Sequence, residues 1–600
     1  MKRISNILIG ALLFFVAVCC DEEILNQLPE DSFVEETIFT TDSNFETYAW
    51  GFYEWFPKYS TGGFGSEFAG DLMSNKNINV GNGNSWLWQN ITIPASSSDW
   101  NTPYSRIRRV NLMLNNIDSS ELTEAQKAHW TSVGYFFRAM QHFELLSKYG
   151  AIIYVDKLLT ENDEDILKGP RTSREVVAQN ILNDLEFAED NIRSNGNGIN
   201  TVNTDVVRAF ISRFGLFEGT WRKYHGISGG EEFLQASADA SAKLIASHPN
   251  LHPSYDEVFN SQSLAGVNGI LLHKSYALDQ TVHRVSSFLK NSAGYWDMTK
   301  KAVDQYLCID GQTRWTSPLF DGDSNPYDEF RNRDRRLYFT TTPPFKVNTN
   351  VPGQDPLKSF EWEFTSNPAD REYIDLMASL SDKDHKVLPT ENWNTFIIIE
   401  EPHFRRDDNG QPFSVTSTGY RCTKYYNNFN RGSQHNDLTN SPIFRMGEIL
   451  LNYAEAKFEL GQFTQEIADI TINKLRDRGQ VAHLNVGNVF NDPTRDTDVA
   501  PVLWEIRRER AVELMMENFR FNDLRRWKKL HVYGAEEKLG RYVFNSEHGG
   551  NLPIKNGASE GYIAHIGEPP GVPMHYYLYP IPSEERVLNP QLDQNPGWED

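Results

Sequence analysis

The feature that most constrains the fold is a series of apolar faces at helical spacing in the first half of the chain. Within residues 123–149, apolar residues recur every three or four positions, which places them on one face of an α-helix. They are Val133, Phe136, Phe137, Met140, Phe143 and Leu146. Thr123 and Glu124 supply an N-terminal cap, and Gly150 is typical of a left-handed stop. Similar patterns predict helices at residues 103–117, 172–192, 204–219 and 231–247.

These successive helices predict antiparallel pairs, because short turns place neighbouring helices side by side. Several pairs resemble tetratricopeptide-type units, although no strict repeat of about 34 residues is present. Residues 250–440 differ, since they are rich in Gly, Asn, Asp, Pro and aromatic residues. That composition predicts long loops, short helices and a few small strands, and loops of this length are usually functional.

Helical spacing returns at residues 444–461, 464–478 and 502–516. The last of these carries Glu505, Glu509, Glu513 and Glu517 at intervals of four, so like charges lie in one row and repel each other. Some of the arginines that follow are predicted to fold back and neutralise this row; these arginines are Arg520, Arg525 and Arg526. This role is structural rather than catalytic.

The N-terminus predicts a lipid anchor. Lys2 and Arg3 precede an apolar run of about a dozen residues, which is too short to span a bilayer and is typical of a signal peptide. Cys20 lies where cleavage is expected, so we predict that residues 1–19 are removed and that Cys20 is acylated. The protein would then be anchored to a membrane rather than spanning it. The alternative is an ordinary signal peptide that contains cysteines.

The charge balance excludes some partners. The formal net charge is −23, and removal of the signal peptide leaves 56 basic against 81 acidic residues, or −25. Such a surface repels phosphate backbones and anionic lipids, so nucleic-acid binding is not expected. Beyond the anchor only Cys308 and Cys422 remain, which is not a disulfide framework. The two cysteines could pair in an oxidising compartment, but two separate buried thiols are the favoured interpretation.

Aromatic residues in polar segments are candidate sugar platforms, because a ring face can stack on the C–H face of a pyranose. Five are preferred: Trp86, Trp88, Tyr295, Trp296 and Trp315. In an extended segment Trp86 and Trp88 would face the same side. Asp71 and Arg314 are candidate hydroxyl-binding partners, and Trp362 and Trp393 are weaker candidates. The tryptophans on helical patterns are predicted to be structural; they are Trp50, Trp55, Trp130, Trp221, Trp504 and Trp527, with Trp100 beside a helix.

An enzyme is the rival class of function. The sequence contains no His-Glu-x-x-His, no Gly-x-Ser-x-Gly and no phosphate loop. A glycosidase pair of carboxylates leaves no such motif, so this alternative is not excluded by sequence. Residues 321–325 superficially suggest a calcium loop, but Pro326 stands where an EF-hand needs glycine. No cofactor is therefore predicted, and a calcium site of another kind is left open.

Several segments together carry a family resemblance. They are Arg445 to Ala456 (RMGEILLNYAEA), Glu505 to Glu513 (EIRRERAVE), Phe519 to Trp527 (FRFNDLRRW), Tyr579 to Pro582 (YPIP), Asn589-Pro590, Gln594 to Trp598 (QNPGW), Asp304 to Tyr306 with Asp310-Gly311, and Arg331 to Leu337. In these features the chain resembles the SusD/RagB-like outer-membrane lipoproteins of Bacteroidetes over essentially its whole length. Gly447 stands where the family usually has alanine, and the stretch after Gly150 lacks a common proline.

The resemblance implies a mostly α fold, with four tetratricopeptide-type helix pairs packed against an irregular, loop-rich part with few short strands. It divides the chain into a signal peptide at 1–19, an N-terminal helical region at 20–300 and a C-terminal region at 301–600. It also implies a non-catalytic protein on the extracellular face of the outer membrane that delivers oligosaccharides to a SusC-like TonB-dependent transporter. Peptide-binding members are the alternative. Asp21, Glu22 and Glu23 resemble the family's surface-export signal.

Overall fold

The computed structural model describes residues 38–75, 86–289, 296–348, 361–363, 371–380, 398, 400–404, 415–429, 435–549 and 552–598. Helices dominate and strands are short, which confirms the predicted mostly α class. The helices are α1 (Asp42–Trp50), α2 (Ser98–Asn115), α3 (Glu124–Tyr149), α4 (Glu164–Leu167), α5 (Arg174–Asn191), α6 (Thr204–His225), α7 (Gly230–Ser247), α8 (Val285–Leu289), α9 (Lys300–Gln305), α10 (Pro326–Phe330), α11 (Arg335–Thr340), α12 (Glu372–Leu380), α13 (Met446–Glu459), α14 (Gln465–Ile470), α15 (Ile472–Gly479), α16 (Pro501–Glu513), α17 (Arg520–Arg526), α18 (Leu530–Tyr533) and α19 (Ser583–Leu588).

The strands pair in four small antiparallel sheets. One sheet joins β1 to β3, a second joins β2 to β7, a third places β4 between β5 and β6, and a fourth is the β8–β9 ladder. Their bounds are β1 (Met73–Ser74), β2 (Ile270–Lys274), β3 (Asp297–Met298), β4 (Phe345–Asn348), β5 (Glu361–Glu363), β6 (Glu400–Glu401), β7 (Ser441–Arg445), β8 (Tyr542–Phe544) and β9 (Glu560–Tyr562).

The long helices form one continuous stack. Packing runs in the order α2, α3, α5, α6, α7, α13 and α16, so each helix contacts the next one in this series. The helices α6 and α7 cross closely, because a Cβ atom on Gly215 would lie 2.5 Å from the carbonyl oxygen of Phe233. The buried faces of the stack form the first core, to which Phe136, Phe137 and Phe210 contribute.

Helix α3 shows why these segments fold locally. Thr123 and Gln126 form a reciprocal capping box, in which the backbone N–H of Thr123 donates to Gln126 Oε1 at 2.9 Å. Gly150 has a φ of +74° and ends the helix, as its sequence position predicted. Other predicted bounds shifted. Helix α2 starts earlier because Ser97 accepts a bond from Asp99 N–H, and the helix predicted at 464–478 is broken at Thr471.

A long insertion separates α7 from α13, which are neighbours in the stack. The ladder of β2 and β7 closes its base, with Ile270 opposite Arg445 and Lys274 opposite Ser441. Residues of the insertion contribute much of a second core that includes Trp296, Tyr306 and Tyr420. The predicted loops, short helices and small strands of 250–440 therefore project from the base of one helix pair.

The acidic row is neutralised, but by residues other than those predicted. Glu505, Glu509 and Glu513 lie on α16, and Glu517 follows the end of that helix. Glu505 pairs with Arg476 and Arg508, and Glu509 pairs with Arg336 and Arg476. Glu513 pairs with Arg445, Arg478 and Arg336. Glu517 pairs with Arg445 and Lys424. The predicted partners bind elsewhere: Arg520 pairs with Asp71, Arg526 with Glu455 and Asp523, and Arg525 donates to backbone carbonyls. Spacing along the chain revealed the repulsion, whereas the partners come from packing between distant segments.

Cys308 and Cys422 are both buried, and no disulfide joins them. In the part of the chain that the structure describes, no helix is long and apolar enough to cross a membrane. Trp50 lies at the end of α1 with 46% of its surface exposed, so it does not belong to a core, although its ring packs against Tyr53 at 4.9 Å.

Candidate functional site

A short hydrogen-bonded turn presents Trp315 to solvent. The backbone N–H of Thr316 donates to the carbonyl oxygen of Thr313 at 3.0 Å, and the Ser317 hydroxyl donates to Asp310 at 2.8 Å. These bonds fix the chain on both sides of Trp315, whose side chain is held outward with 41% of its surface exposed. Among the tryptophans whose side chains the structure describes, only Trp50 and Trp315 are largely exposed.

Arg314 joins this turn to the β8–β9 ladder. Its guanidinium forms an ion pair with Asp323 and donates from Nη2 to the Tyr562 hydroxyl at 3.0 Å. The same hydroxyl donates to Asp323 Oδ2 at 2.7 Å, so the three side chains close a ring of polar contacts. Lys300 on α9 approaches Asp323 at 3.6 Å. Burial opposes ionisation of Asp323, but Lys300, Tyr562 and Arg314 outweigh it and hold its pKa below the usual range.

Tyr562 and three aromatic residues that contact members of this polar ring form a group that we call the aromatic face: Trp315, Phe320, Tyr542 and Tyr562. The Arg314 guanidinium lies 4.9 Å from the Trp315 ring and 5.5 Å from the Phe320 ring. The rings of Tyr542 and Tyr562 meet edge to face with centroids 5.5 Å apart. An exposed ring beside fixed donors and acceptors is the arrangement that binds a sugar, since the ring takes the C–H face and the polar groups take hydroxyls.

Asp71 is buried, so its position does not fit the predicted role of binding ligand hydroxyls. It is only 4% exposed, and its two oxygens accept from Arg520 Nε and Nη2 at 2.8 Å each, while Lys301 Nζ lies 2.9 Å away. Burial alone would raise its pKa, but Arg520 and Lys301 lower it far below the usual range. Both oxygens are therefore engaged in holding the fold, and we correct the expectation that Asp71 receives ligand hydroxyls.

The expectation that Trp296 is a sugar platform is also wrong. It belongs to the second core, is 4% exposed, and contacts the rings of Phe64 and Phe288 at centroid distances of 5.0 and 5.1 Å. The short β1–β3 ladder beside it, with Met73 opposite Met298, draws this segment inward. A buried ring cannot serve as a sugar platform in this conformation.

Trp86 and Trp88 do not present two rings to one side. Residues 86–89 form a turn rather than an extended segment, and Gln89 has a φ of +56°. Trp86 packs against Tyr576 and Tyr579 at 5.6 and 4.9 Å, whereas Trp88 packs, half-buried, on the second core. The alternation of an extended strand therefore does not apply, and the two rings contact different clusters.

Three other candidates cannot be placed. Tyr295 and Trp393 lie outside the described residues, and Trp362 lies in β5 where only the backbone is described. Of the candidates with described side chains, the structure brings Arg314 and Trp315 together at the aromatic face. Helix α9 links this face to Asp71, because Lys300 approaches Asp323 and its neighbour Lys301 approaches Asp71.

Sequence reasoning missed Asp323, Tyr542 and Tyr562. Asp323 had drawn attention only as part of a poor calcium loop, and its carboxylate instead meets Arg314 and Tyr562. Tyr542 and Tyr562 are opposite each other in the β8–β9 ladder. The alternation of Tyr542, Val543 and Phe544 was the available signal for a strand with one aromatic side.

A buried carboxyl in the short helix that precedes Asp71 predicts a pH effect on stability. Glu67 is 1% exposed, and burial raises its pKa from 4.5 to about 7 even though Asn518 N–H donates to it. Because the folded state holds this proton more tightly than the unfolded state does, the protonated Glu67 carboxyl contributes to the stability of the fold. This contribution is complete below pH 4.5 and is lost as pH rises through 7. We expect Glu67→Gln, relative to wild type, to gain about 2–3 kcal/mol in free energy of unfolding between pH 4.5 and 8. Urea unfolding across this range is the measurement.

The control for this prediction is Glu124→Gln, at a carboxylate that is 94% exposed. It should leave the pH profile of stability unchanged. Parallel profiles for wild type and Glu67→Gln would show that Glu67 ionises normally in the folded protein.

The comparisons with known proteins decide the family. A family model described as "SusD family" matches residues 277–598, which is more than half of the chain. The chain belongs to the SusD family. A second SusD-like model, described as "Starch-binding associating with outer membrane", matches residues 31–216.

Relatives and solved structures agree with this assignment to the SusD family. A SusD-like protein of Formosa agariphila is 24% identical over 99% of both chains. A SusD-like protein of Bacteroides ovatus is 25% identical over 31% of this chain, and the match spans only 35% of that relative. A solved SusD-like carbohydrate-binding protein of Bacteroides fragilis NCTC 9343 shares the fold with a TM-score of 0.64, at 19% identity over 93% of this chain and 100% of that one. SusD-like proteins bind carbohydrate and are generally non-enzymatic.

Proposed function

We propose that this SusD-family chain is a non-catalytic glycan-binding lipoprotein of the cell surface. It captures oligosaccharides at the aromatic face and delivers them to a SusC-like TonB-dependent transporter. Acylated Cys20 holds it in the outer membrane, with the protein on the extracellular side. The observation that carries the proposal is the exposed ring of Trp315 beside the Arg314, Asp323 and Tyr562 contacts.

The polar ring supports a binding role because its members are already oriented. Arg314, Asp323 and Tyr562 satisfy one another, so little side-chain freedom remains to be lost when a sugar binds. The side chains of Arg314 and Asp323 keep 13% and 16% exposure, through which a sugar hydroxyl can reach them. Trp315 supplies a large, rigid apolar surface, the kind of residue that dominates binding energy.

Replacement of Trp315 tests the proposal. We expect Trp315→Ala to weaken binding of the cognate oligosaccharide at least tenfold, since truncating a hot-spot tryptophan costs about 2 kcal/mol or more. Isothermal titration of the soluble protein from residue 21 onward against plant, host and microbial polysaccharides identifies the ligand and measures the loss. Trp50→Ala is the matched control, because Trp50 is equally exposed at the end of α1.

The outcomes separate the alternatives. Glycan binding that survives Trp315→Ala would support glycan capture but show that the binding site is not the aromatic face. Binding of peptides and of no glycan in the panel would favour the peptide-uptake alternative. Release of reducing ends from any bound glycan would contradict a non-catalytic role.

A further inference from the structure

A cavity of about 620 Å³ lies apart from the aromatic face. Its walls come from the segment 57–66, from α3 and α6, and from residues around α17, and we call it the basic cleft. No residue of the aromatic face lines it. Its volume falls within the range of about 300–1,000 Å³ that small-molecule sites occupy. The exposed rim residues Lys58, Gly62 and Asn522 open it to solvent.

The charge of this lining contrasts with that of the whole protein. Seven basic side chains line the basic cleft against four carboxylates, in a chain whose formal net charge is −23. The basic residues are Lys58, Lys148, Arg213, Arg445, Arg510, Arg525 and Arg526. Because the screening length is about 8 Å at physiological salt, the potential inside is set by these groups together with the carboxylates that pair with them, rather than by the distant acidic surface.

Most of these basic groups are neutralised by carboxylates. Arg213 pairs with Glu448 at 2.7 Å, Arg510 with Asp523 at 2.8 Å, and Lys148 with Asp99 at 2.9 Å. The remaining basic groups apart from Arg525 also pair with carboxylates: Arg526 with Glu455, Arg445 with Glu513 and Glu517, and Lys58 with Glu54. The paired groups contribute hydrogen-bond donors but little net charge.

Arg525 is the exception. Within the described residues its guanidinium meets no carboxylate: Nη2 donates to the carbonyl oxygens of Ser147 and Tyr577 at 2.7 Å each, and Nη1 donates to Asn522 Oδ1 at 3.1 Å. Its Nε has no hydrogen-bond partner there, and the side chain is only 1% exposed. Burial lowers its pKa to about 10, so it still carries its charge at neutral pH. A buried, uncompensated cation is costly unless an anion neutralises it.

Aromatic rings stand beside this charge. The Arg525 guanidinium lies 5.4 Å from the Tyr579 ring and 5.7 Å from the Phe521 ring, and both rings line the basic cleft. Phe521 is buried, whereas Tyr579 keeps partial exposure, so the Tyr579 ring is the one available to the C–H face of a sugar. The cation beside that ring matches a negative group on the same ligand.

From these observations we propose that the basic cleft binds a carboxylate-bearing sugar, with the carboxylate directed toward Arg525. The proposal rests on the proposed function in taking the ligand to be a sugar, but it concerns a different site. Asn522 is exposed on the same helix, one turn before Arg525, where it lines the cleft and accepts a hydrogen bond from the guanidinium.

The substitution Asn522→Asp tests the proposal without removing Arg525. It places a carboxylate at i,i+3 to the guanidinium, where Asn522 Oδ1 already accepts its hydrogen bond. The new carboxylate supplies the missing counter-charge from within the protein and should exclude the ligand's own. We expect the variant to be at least as stable as wild type, which separates loss of binding from loss of folding. Asn183→Asp, at an exposed position on α5, is the control with the same change in charge.

The probes are D-glucuronate and D-glucose, which differ only at the carboxylate, titrated with NMR detection into wild type and both variants. We expect glucuronate to bind wild type and Asn183→Asp at least tenfold more tightly than glucose, and to lose at least tenfold in affinity in Asn522→Asp. Equal binding of the two sugars, no glucuronate binding, or glucuronate binding unaffected by Asn522→Asp would overturn the proposal. Inorganic sulfate binding as tightly as glucuronate would overturn its sugar specificity.

Trp315→Ala distinguishes this proposal from the proposed function. Glucuronate binding should be unchanged in that variant, whereas capture of the cognate oligosaccharide should be lost. If glucuronate fails while Trp315-dependent glycan binding is present, only the basic cleft proposal is overturned. If glucuronate binding depends on Trp315 and not on Asn522, the sugar lies at the aromatic face and the basic cleft is again excluded.

Discussion

Replacing Glu513 with glutamine is expected to lower the free energy of unfolding by about 3–5 kcal/mol. Glu513 is fully buried, and Arg445 and Arg478 each donate to its Oε1 at 2.5 Å, while Arg336 approaches Oε2 at 3.1 Å. Burial alone would raise its pKa, but the surrounding arginines hold it well below the usual range. Glutamine has the same shape without the charge, so buried guanidinium groups would lose their shared counter-ion. Urea unfolding at neutral pH measures the loss.

The control for this variant is Glu164→Gln on α4. Glu164 also pairs with a basic residue, Lys168, but 66% of its side chain is exposed. Solvent screens such pairs, so no measurable change is expected. If Glu513→Gln were as mild as the control, the acidic row of α16 would not depend on these arginines.

The second large effect is expected from Phe137→Ala, which should destabilise the protein by about 3–5 kcal/mol. Phe137 is fully buried on α3, and its ring lies 5.3–5.8 Å from the rings of Phe52, Tyr53, Trp55 and Phe56. These rings attach the segment after α1 to the helical stack, and the surrounding structure cannot collapse fully into the space left behind. Thermal and urea unfolding both measure the change.

Phe187→Ala is the matched control for Phe137→Ala. Phe187 is also on a helix, α5, but is 39% exposed and contacts mainly the ring of Tyr135. A change below about 1 kcal/mol is expected, because surface truncations leave no cavity. Comparable losses in the two variants would contradict the placement of Phe137 in the first core.

Local patterns predicted the helical stack well, because helix faces and caps depend on residues within one or two turns. The apolar face of α3, its Thr123 cap and its stop at Gly150 were all readable from spacing and residue type. Family motifs extended this to the whole fold, which the SusD family model supports.

Partners far apart in sequence were not predictable in this way. Asp323 and Tyr562 meet across 239 positions, and Asp71 and Arg520 across 449. The exposure of Trp315 and the burial of Trp296 likewise depend on how the insertion packs, since both tryptophans lie in similar polar segments. Sequence reasoning therefore identified the correct residue types but could not distinguish a tryptophan exposed for sugar binding from one buried in a core.

The central claim is that the aromatic face holds the captured glycan, and a crystal structure of the protein with its cognate oligosaccharide tests it most directly. The account predicts a sugar ring over Trp315, with its hydroxyl groups within hydrogen-bond distance of Arg314 or Asp323. An oligosaccharide bound elsewhere on the protein, with the Trp315 ring bare, would contradict it.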